Sequence, residues 1–353
     1  MDEKHEPRPE PPIEQKAPDA PQEGTPPSYQ PSWNKNSLDL LPVQRLVNAV
    51  MQEIKKVVVG QDQATELLLA AMLSGGHVLL EGVPGIAKTL VAKLLAKTMA
   101  VDFSRIQFTP DLMPTDVVGT TVYNLKTSEF TFNQGPIFAN VVLIDEINRA
   151  PAKTQSALFE VMEEHQVTVD GNTYQMGFPF FTVATQNPIE QEGTYKLPEA
   201  QLDRFLFKIN IDYPDLEDEK AILRKFRHDF DMKVVQEVTA VATADQIKAC
   251  RDLIQQVHCK DELLDYIAAI IHGTRNNGDL FLGASPRASL AIMRASKAIA
   301  AISGRDFVTP DDIQYVAYPV LNHRVILTPE REMEGYTPKE VIDSIVKKIE
   351  VPR

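Results

Sequence analysis

One stretch of sequence decides the fold: His77-Val-Leu-Leu-Glu-Gly82-Val-Pro-Gly-Ile-Ala-Lys88-Thr-Leu90. It opens on a short apolar run, which predicts a strand, and continues through a turn rich in glycine. From Lys88 to Met99 the apolar residues recur at the spacing of one helix face. A strand, a glycine-rich turn and an amphipathic helix in this order are typical of the first unit of an α/β fold.

The turn at residues 82–89 has the chemistry of a phosphate-binding loop. Glycines let the main chain wrap around a chain of phosphates, and the N-terminus of the following helix offers N–H groups without partners. The Lys88 ammonium can reach the terminal phosphates, and the Thr89 hydroxyl can ligate Mg²⁺. The turn therefore predicts a bound nucleotide. A glycine-rich turn that merely joins a strand to a helix is the alternative.

One position departs from the usual pattern of such loops, G-x-x-x-x-G-K-[ST], because Ala87 stands where the last glycine is expected. Alanine is acceptable there if its φ is negative. It is costly if the loop needs the left-handed conformation, which glycine adopts freely. The sequence alone leaves both conformations open.

A second apolar run, Val141-Val-Leu-Ile-Asp145-Glu146, ends in two acids. At the end of a strand, Asp145 can hold the shell of a Mg²⁺ ion, and Glu146 can polarise a water for in-line attack on a γ-phosphate. Such a run is common on its own, but here Asp145 comes 57 residues after Lys88 of the phosphate-binding loop. The two motifs together predict a site for ATP or ADP with Mg²⁺. The second acid favours hydrolysis over binding alone.

Further short apolar runs predict the rest of a sheet. They begin at Arg105, Phe180 and Phe205, and the run at Phe180 is nearly unbroken, like the one before Asp145. Unbroken runs are expected for strands that are covered on both faces of a parallel sheet. Two shorter segments, 121–132 and 167–176, are predicted as hairpins, the second around the tight-turn sequence Asp170-Gly171-Asn172.

The chain divides into three parts by pattern. Beyond Pro214 the apolar residues keep helical spacing only. We therefore predict an α/β domain at 37–213, with a five-stranded parallel sheet sandwiched by helices and carrying hairpin insertions, followed by an all-α domain at 214–353. Residues 1–36 contain nine of the 25 prolines and almost no aliphatic side chains. This composition predicts a disordered, proline-rich tail.

Composition excludes several classes of protein. The 36 basic side chains face 49 acidic ones, a formal net charge of −13, which argues against wholesale binding of nucleic acid or anionic lipid. Cys250 and Cys259 match no zinc or redox spacing and are predicted to be free thiols, and the seven histidines predict no metal cage. The charged N-terminus has no apolar segment behind it, and no apolar run is long enough for a membrane span. We expect a cytoplasmic protein.

The residues from Val43 to Leu327 resemble the AAA+ ATPases and, among them, the MoxR family, whose phosphate-binding loop has the same alanine as position 87. The resemblance implies that the segment before the second helix, residues 59–61, lines the adenine. It implies that the whole loop and Asp145 contact the nucleotide, and that Thr89 and Asp145 ligate Mg²⁺. The implied nucleotide-binding residues are Val59, Gly60, Gln61, Gly82, Val83, Pro84, Gly85, Ile86, Ala87, Lys88, Thr89, Leu90 and Asp145.

Three further residues take catalytic roles beside Glu146 by the same resemblance. Asn187 resembles sensor 1, an amide that helps to place the attacking water. Arg204 resembles the arginine finger that is offered to the γ-phosphate of the neighbouring subunit, and Arg287 resembles sensor 2, which reaches from the helical lid. Each has a plain alternative: a cap at the end of a strand, an ion pair with a nearby acid (Asp203 or Glu199), and an ordinary residue at a helix N-terminus.

The resemblance also implies how the protein works. It implies a homo-oligomer, expected to be a hexameric ring, in which hydrolysis moves the lid against the α/β core. Arg149 is a further candidate for the subunit interface, with a plain surface arginine as the alternative. The implied output is chaperone-like remodelling or activation of client proteins, often ones with a von Willebrand factor A domain.

The two predicted hairpins bear on the kind of partner. In related machines such hairpins face the central pore or the substrate. Here Lys126 is their single basic residue, whereas Tyr123, Phe130, Phe132 and Tyr174 add aromatic surface. These side chains suit a protein client better than nucleic acid. A chelatase-type motor subunit and a DNA-associated AAA+ motor share the same core and stay open as alternatives.

Overall fold

Short strands and helices alternate along the chain in a computed structural model, which describes residues 38–83, 85–126, 128–188, 193–228 and 233–352. The predicted N-terminal tail and Pro84 lie outside the described residues. The strands are β1 (His77–Gly82), β2 (Phe103–Gln107), β3 (Gly119–Asn124), β4 (Glu129–Gln134), β5 (Val141–Asp145), β6 (Gln166–Val169), β7 (Asn172–Gln175), β8 (Phe181–Gln186), β9 (Phe205–Ile211), β10 (Leu280–Leu282) and β11 (Ile326–Leu327). The helices are α1 (Leu41–Lys55), α2 (Asp62–Leu73), α3 (Lys88–Thr98), α4 (Pro114–Val118), α5 (Ala152–Glu164), α6 (Glu199–Leu202), α7 (Leu216–Lys225), α8 (Val234–Glu237), α9 (Ala244–Gln255), α10 (Asp261–Arg275), α11 (Pro286–Ile302), α12 (Pro310–Leu321), α13 (Pro329–Met333) and α14 (Pro338–Lys348).

The predicted five-stranded sheet is present and parallel. Its strand order is β2-β5-β8-β1-β9, with parallel pairing at every step. All of β5 and the first four residues of β1 are buried. Strands that are covered on both faces cannot alternate apolar and polar side chains, which explains the unbroken apolar runs in the sequence.

Helices cover both faces of this sheet, as predicted. Because successive residues of a strand face opposite sides, neighbouring residues of β1 enter different cores. Val78 and Leu80 belong to a large apolar cluster with α1, α2, α3 and the C-terminal helices α9 to α12. Leu79 belongs to a second cluster, which contains the inward side of α5. The C-terminal helices therefore share one continuous core with the sheet.

The C-terminal region is helical, as predicted, and it also contains a small antiparallel strand pair. Leu280 of β10 pairs with Leu327 of β11. Strands of three and two residues are too short to show alternation in a sequence, which is why the spacing predicted helices alone. Within the described ranges, each helix is too short or too polar to span a bilayer.

Both predicted hairpins are present and contact each other. Strands β3 and β4 pair along their full length, and β6 pairs with β7 through the two-residue turn Asp170-Gly171. Both turn residues have positive φ, 50° and 79°, as a tight hairpin turn requires. The rings of Phe132 and Tyr174 stack at 4.3 Å between their centroids, so the two hairpins join through an aromatic contact.

The edge strand β9 is covered by the segment that follows α12. An exposed edge strand leaves a row of unpaired backbone groups, which proteins protect. Asn322 Nδ2 donates to the Lys208 carbonyl at 3.0 Å, and Arg324 Nη2 donates to the Phe205 carbonyl at 2.6 Å. Arg324 Nε also donates to Asp203 Oδ1 at 2.6 Å. Burial lowers the pKa of Arg324, and Asp203 partly offsets this effect.

We expect Arg324→Met to lower the free energy of unfolding by about 3 kcal/mol, because it removes the buried guanidinium that binds the Asp203 carboxylate and the β9 carbonyls. Urea unfolding followed by circular dichroism measures the change. Arg331→Met is the matched control: the side chains of its ion pairs with Asp279 and Glu334 are 32–55% exposed, so water screens these pairs and we expect little change. Equal losses in the two variants would contradict a special role for Arg324.

Candidate active site

The loop between β1 and α3 is fixed by close packing and by its own lysine. A Cβ atom on Gly82 would lie 2.5 Å from the Ile211 carbonyl oxygen and 2.6 Å from Ile86 Cδ1, so no larger residue fits there. Gly85 has φ +86° and open space around its Cα atom. Lys88 Nζ donates to the Gly82 carbonyl at 2.6 Å. The Lys88 ammonium group therefore contacts the main chain of the predicted phosphate-binding loop.

Ala87 has the left-handed conformation, which is the costlier of the two that the sequence left open. Its φ is 62° and its ψ is 17°, which is left-handed, and α3 begins at the next residue. A left-handed L-residue costs roughly 1 kcal/mol relative to glycine. The loop thus keeps the backbone shape of a glycine-containing phosphate loop and stores strain at this position.

Two cavities meet at this loop. One has a volume of about 910 Å³ and is lined by residues 57–61, the loop and the chain that follows β9. The other has a volume of about 420 Å³ and contains loop residues together with Asp145, Glu146 and Asn187. Gly85, Ala87 and Leu90 line both cavities. The structure therefore gathers Val59, Gly60 and Gln61 on one side of the loop and the predicted acids and sensor 1 on the other.

Gln61 links the first cavity to the loop. Its Nε2 donates to the Ile86 carbonyl at 2.7 Å. Its Oε1 is buried and has no hydrogen-bond partner among the described residues. A buried acceptor without a partner costs free energy, typically about 1–3 kcal/mol. Such an atom is consistent with a ligand that brings a donor to this cavity.

The two acids stand side by side at the end of β5 but have different surroundings. Asp145 is 9% exposed, and its Oδ1 accepts from the Thr185 hydroxyl at 2.7 Å. Its Oδ2 lies 3.4 Å from the Thr89 hydroxyl. Glu146 has a left-handed φ of 57°, and its N–H donates to Thr185 Oγ1 at 3.0 Å. Thr185, which the sequence did not single out, thus fixes both acids.

Two side chains of β2 bind the same acids and were missed by sequence reasoning. Arg105 Nε donates to Asp145 Oδ2 at 2.9 Å, and its Nη2 lies 2.8 Å from that oxygen. Gln107 Nε2 donates to Glu146 Oε2 at 2.9 Å. Residues two apart in a strand share a face, so a pairing of β2 with β5 could have pointed to both. That pairing is not visible in the sequence.

Arg149 and Asn187 complete this cluster. Arg149 Nε lies 3.0 Å from Glu146 Oε2, so its partner is the predicted water-polarising acid of its own subunit. Asn187 follows β8, is 7% exposed and lines the same cavity as Glu146. The 420 Å³ cavity is therefore lined by the Asn187 amide, the carboxylates of Asp145 and Glu146, and Lys88 of the loop.

The donors at Asp145 suit a magnesium ion that also has phosphate ligands. A hydroxyl and a carboxylate, from Thr89 and Asp145, approach each other beside the N-terminus of α3. Among the described residues, no cluster of three or more His, Cys, Asp or Glu side chains could hold a metal ion. Mg²⁺ in nucleotide sites is bound through one or two carboxylates plus phosphates and water, which fits this donor set.

Within this chain, Arg204 and Arg287 do not reach the cavity that contains Asp145 and Glu146. His77 at the start of β1 pairs with Phe205, so Arg204 lies at the amino end of β1, whereas the loop follows its carboxyl end. The six residues of β1 separate the two ends by roughly 20 Å. Arg204 Nη2 and Arg287 Nη2 both contact Glu163, at 3.0 Å and 2.7 Å. The partner of Arg204 is thus neither of the acids considered from sequence.

His77 at this end of the sheet is a structural residue. Its Nδ1 accepts from the Thr182 N–H at 3.0 Å, so the proton is on Nε2, which donates to the Met162 carbonyl at 3.1 Å. Burial lowers the pKa of His77 to about 3. The ring therefore stays neutral near pH 7 and joins β1 to β8 and α5.

A phosphate-binding loop after β1, with an Asp-Glu pair at the end of β5 and β8 between them, defines the class of P-loop ATPases. Residues 77–207 match the model of the ATPase family associated with various cellular activities (AAA), and residues 272–345 match the AAA lid domain. The chain is 48% identical over 307 residues to the Bacillus subtilis protein YeaC, covering 87% of this chain and 95% of YeaC. It is 44% identical over 310 residues to the chaperone MoxR1 of Mycobacterium tuberculosis, covering 85% and 81% of the two chains.

A solved structure agrees with this likeness. The crystal structure of an ATPase candidate from Cytophaga hutchinsonii matches with a TM-score of 0.82 at 43% identity, covering 89% of this chain and 97% of that one. The chain therefore belongs to the MoxR family of AAA ATPases.

We expect Ala87→Gly to raise the free energy of unfolding by roughly 1 kcal/mol, because glycine removes the strain of the left-handed backbone. Ala268→Gly, at an exposed position inside α10, is the matched control. It should lower the same free energy by about 1 kcal/mol, since glycine weakens a helix interior. Chemical denaturation measures both changes. Destabilisation by both variants would show that Ala87 is not strained in solution.

Proposed function

We propose that this chain is a Mg²⁺-dependent ATPase that binds ATP across the two cavities of the 82–89 loop. The observation that carries the proposal is the convergence of the loop, Asp145, Glu146 and Asn187 on one cavity that adjoins a larger one. The base and sugar occupy the 910 Å³ cavity, beside residues 59–61. The phosphates follow the loop toward Lys88, over the N-terminus of α3, where backbone N–H groups favour anions.

Hydrolysis follows from the groups around the smaller cavity. The oxygen of a water attacks the γ-phosphorus, the bond from that phosphorus to the bridging oxygen breaks, and ADP and phosphate are released. Glu146 accepts the proton of the water, and the Asn187 amide orients it. Lys88 leaves the Gly82 carbonyl to contact the phosphates. Mg²⁺, held by Thr89 and Asp145, supplies charge neutralisation at the phosphate oxygens.

The arginine pair supports an oligomeric ring. Arg204 and Arg287 come from different parts of the chain, yet both guanidinium groups converge on the Glu163 carboxylate. Two guanidinium groups around one anion are also an arrangement that can bind a terminal phosphate. Because they lie at the far end of the sheet from their own loop, we propose that both act on the nucleotide of the neighbouring subunit. The family resemblance favours six subunits.

The hairpins support a protein client. Leu125 and Phe130, near the tip of the β3–β4 hairpin, are 85% and 74% exposed, and Tyr123 contacts Phe130 at 5.0 Å between ring centroids. Exposed apolar groups of this kind favour contact with protein. We propose chaperone-like remodelling of client proteins, in line with the chaperone name of MoxR1. Clients with a von Willebrand factor A domain follow from the family resemblance alone.

Two other functions of an AAA+ core can be told apart from this one by experiment. A chelatase-type motor would co-purify with a metal-inserting partner. A DNA-associated motor would show ATP turnover that DNA stimulates, which the net charge of −13 disfavours.

We expect Lys88→Ala to abolish ATP binding, because the variant lacks the ammonium group that contacts the phosphates in the proposed complex. Glu146→Gln should keep ATP binding and lower turnover by about 10²–10⁴-fold, since an amide cannot accept the proton. Calorimetry measures binding, and phosphate release measures turnover. Turnover by Lys88→Ala at the wild-type rate would refute the assignment of the loop.

The action between subunits is tested by mixing two inactive variants. Arg204→Ala should bind ATP but lack turnover, and Glu146→Gln should lack turnover for a different reason. In a mixed ring, Glu146→Gln subunits offer an intact Arg204 to the intact sites of Arg204→Ala subunits, so phosphate release should return. Glu146→Gln mixed with Lys88→Ala is the control without recovery, because both lesions lie in the same site. Absence of recovery in the first mixture would contradict action in trans.

A further inference from the structure

The oxygen atom of Asp145 that lies next to Thr89 is already bound by a cation of the same chain. Arg105 approaches Asp145 Oδ2 with two nitrogen atoms, Nε at 2.9 Å and Nη2 at 2.8 Å. The other carboxylate oxygen, Oδ1, accepts from the Thr185 hydroxyl. The side chain of Asp145 is 12% exposed, whereas that of Arg105 is 51% exposed. A half-exposed guanidinium thus contacts a largely buried carboxylate.

We propose that Arg105 competes with Mg²⁺ for Asp145, so that the metal binds only when Arg105 releases this carboxylate. The competition concerns Mg²⁺ bound together with nucleotide and therefore rests on the proposed function. The proposal gives a role to Arg105, a residue of β2 that belongs neither to the 82–89 loop nor to the Asp145-Glu146 pair.

The physical reason is that Oδ2 cannot serve both cations. A carboxylate of this low exposure needs a counterion, because an unpaired charge away from water is strongly unfavourable. In the structure Arg105 supplies that charge. A divalent ion beside Thr89 would stand within a few ångströms of the guanidinium, and the two like charges repel strongly where water is scarce. Binding of one therefore favours departure of the other.

Arg105 has a second partner that can retain it after release. Its Nη2 donates to Gln107 Oε1 at 3.0 Å, on the same face of β2. Half of the Arg105 side chain is exposed, so water can also solvate the guanidinium group. The metal must displace Arg105 from Asp145, but it does not have to leave the arginine without a partner.

The test compares ADP binding with and without metal. Calorimetry gives the dissociation constant of ADP in EDTA and in Mg²⁺, and the ratio of the two measures how strongly the metal and the nucleotide support each other. Arg105→Gln removes the competitor, so we expect this ratio to rise by about tenfold, in the usual range of coupling between two ligands. Arg105→Lys keeps a charge but not the fork of two donors, and it should give an intermediate ratio.

Arg149→Gln is the matched control. It removes a guanidinium that contacts the neighbouring acid, Glu146, rather than Asp145. We expect its ratio to stay near the wild-type value. A tenfold rise in both arginine variants would overturn the proposal, because the general loss of positive charge would then explain the result.

Thermal melting separates competition from a merely structural ion pair. Arg105→Gln should lower the melting temperature of the ligand-free protein, and Mg²⁺ with ADP should raise it by more than in the wild type. A lower melting temperature with an unchanged metal-to-EDTA ratio would show a structural pair only and would overturn the competition. A reduced ratio would show that Arg105 assists the metal. If the wild type binds no ADP at all, the proposed function itself fails, and this outcome is distinct from normal binding with an unchanged ratio.

Discussion

Parallel pairing of β1, β8 and β5 is the constraint on which the rest depends. Leu80 lies beside Thr185, and Ile144 lies beside Ala184, so the carboxyl ends of the three strands form one line. The phosphate-binding loop and both acids extend from that line, which is the edge where α/β sheets bind ligands. The opposite edge carries Arg204. The loop with the two acids and Arg204 thus lie at opposite ends of the same strands, so a contact between them needs two copies of the chain, as in the proposed ring.

The cationic edge is tied to the C-terminal helices through Asp203. Its Oδ1 accepts from Arg324 Nε at 2.6 Å, and its Oδ2 accepts from the Ser285 hydroxyl at 2.8 Å. Ser285 caps the helix whose second residue is Arg287, and Arg204 follows Asp203 directly in the chain. The two arginines are therefore anchored to one carboxylate. Arg204 precedes β9 of the sheet and Arg287 lies in α11, so a rotation of α11 relative to the sheet would change the separation of the two guanidinium groups.

The local parts of the fold and site followed from sequence, and the non-local parts did not. The stretch 77–90 was predictable because strand, loop and helix are adjacent in the chain and each has its own pattern. Arg105 escaped because its role depends on the register between β2 and β5, which no local pattern encodes. The convergence of Arg204 and Arg287 on Glu163 depends on how the C-terminal helices pack. The sequence left the conformation of Ala87 open because alanine favours a negative φ, whereas the loop imposes a positive one.

The backbone strain at the site is imposed by the same sheet that positions the site residues. Ala87 and Glu146 are both non-glycine residues with left-handed backbones, and both flank the smaller cavity. Such conformations persist only where the surroundings over-determine them. At Glu146 the surroundings are the buried strand β5 and the Thr185 hydroxyl, which accepts its N–H. At Ala87 they are the packing of Gly82 against the Ile211 carbonyl and the start of α3. The sheet therefore imposes on these residues a shape that their local preferences oppose, and the site exists only while the sheet is intact.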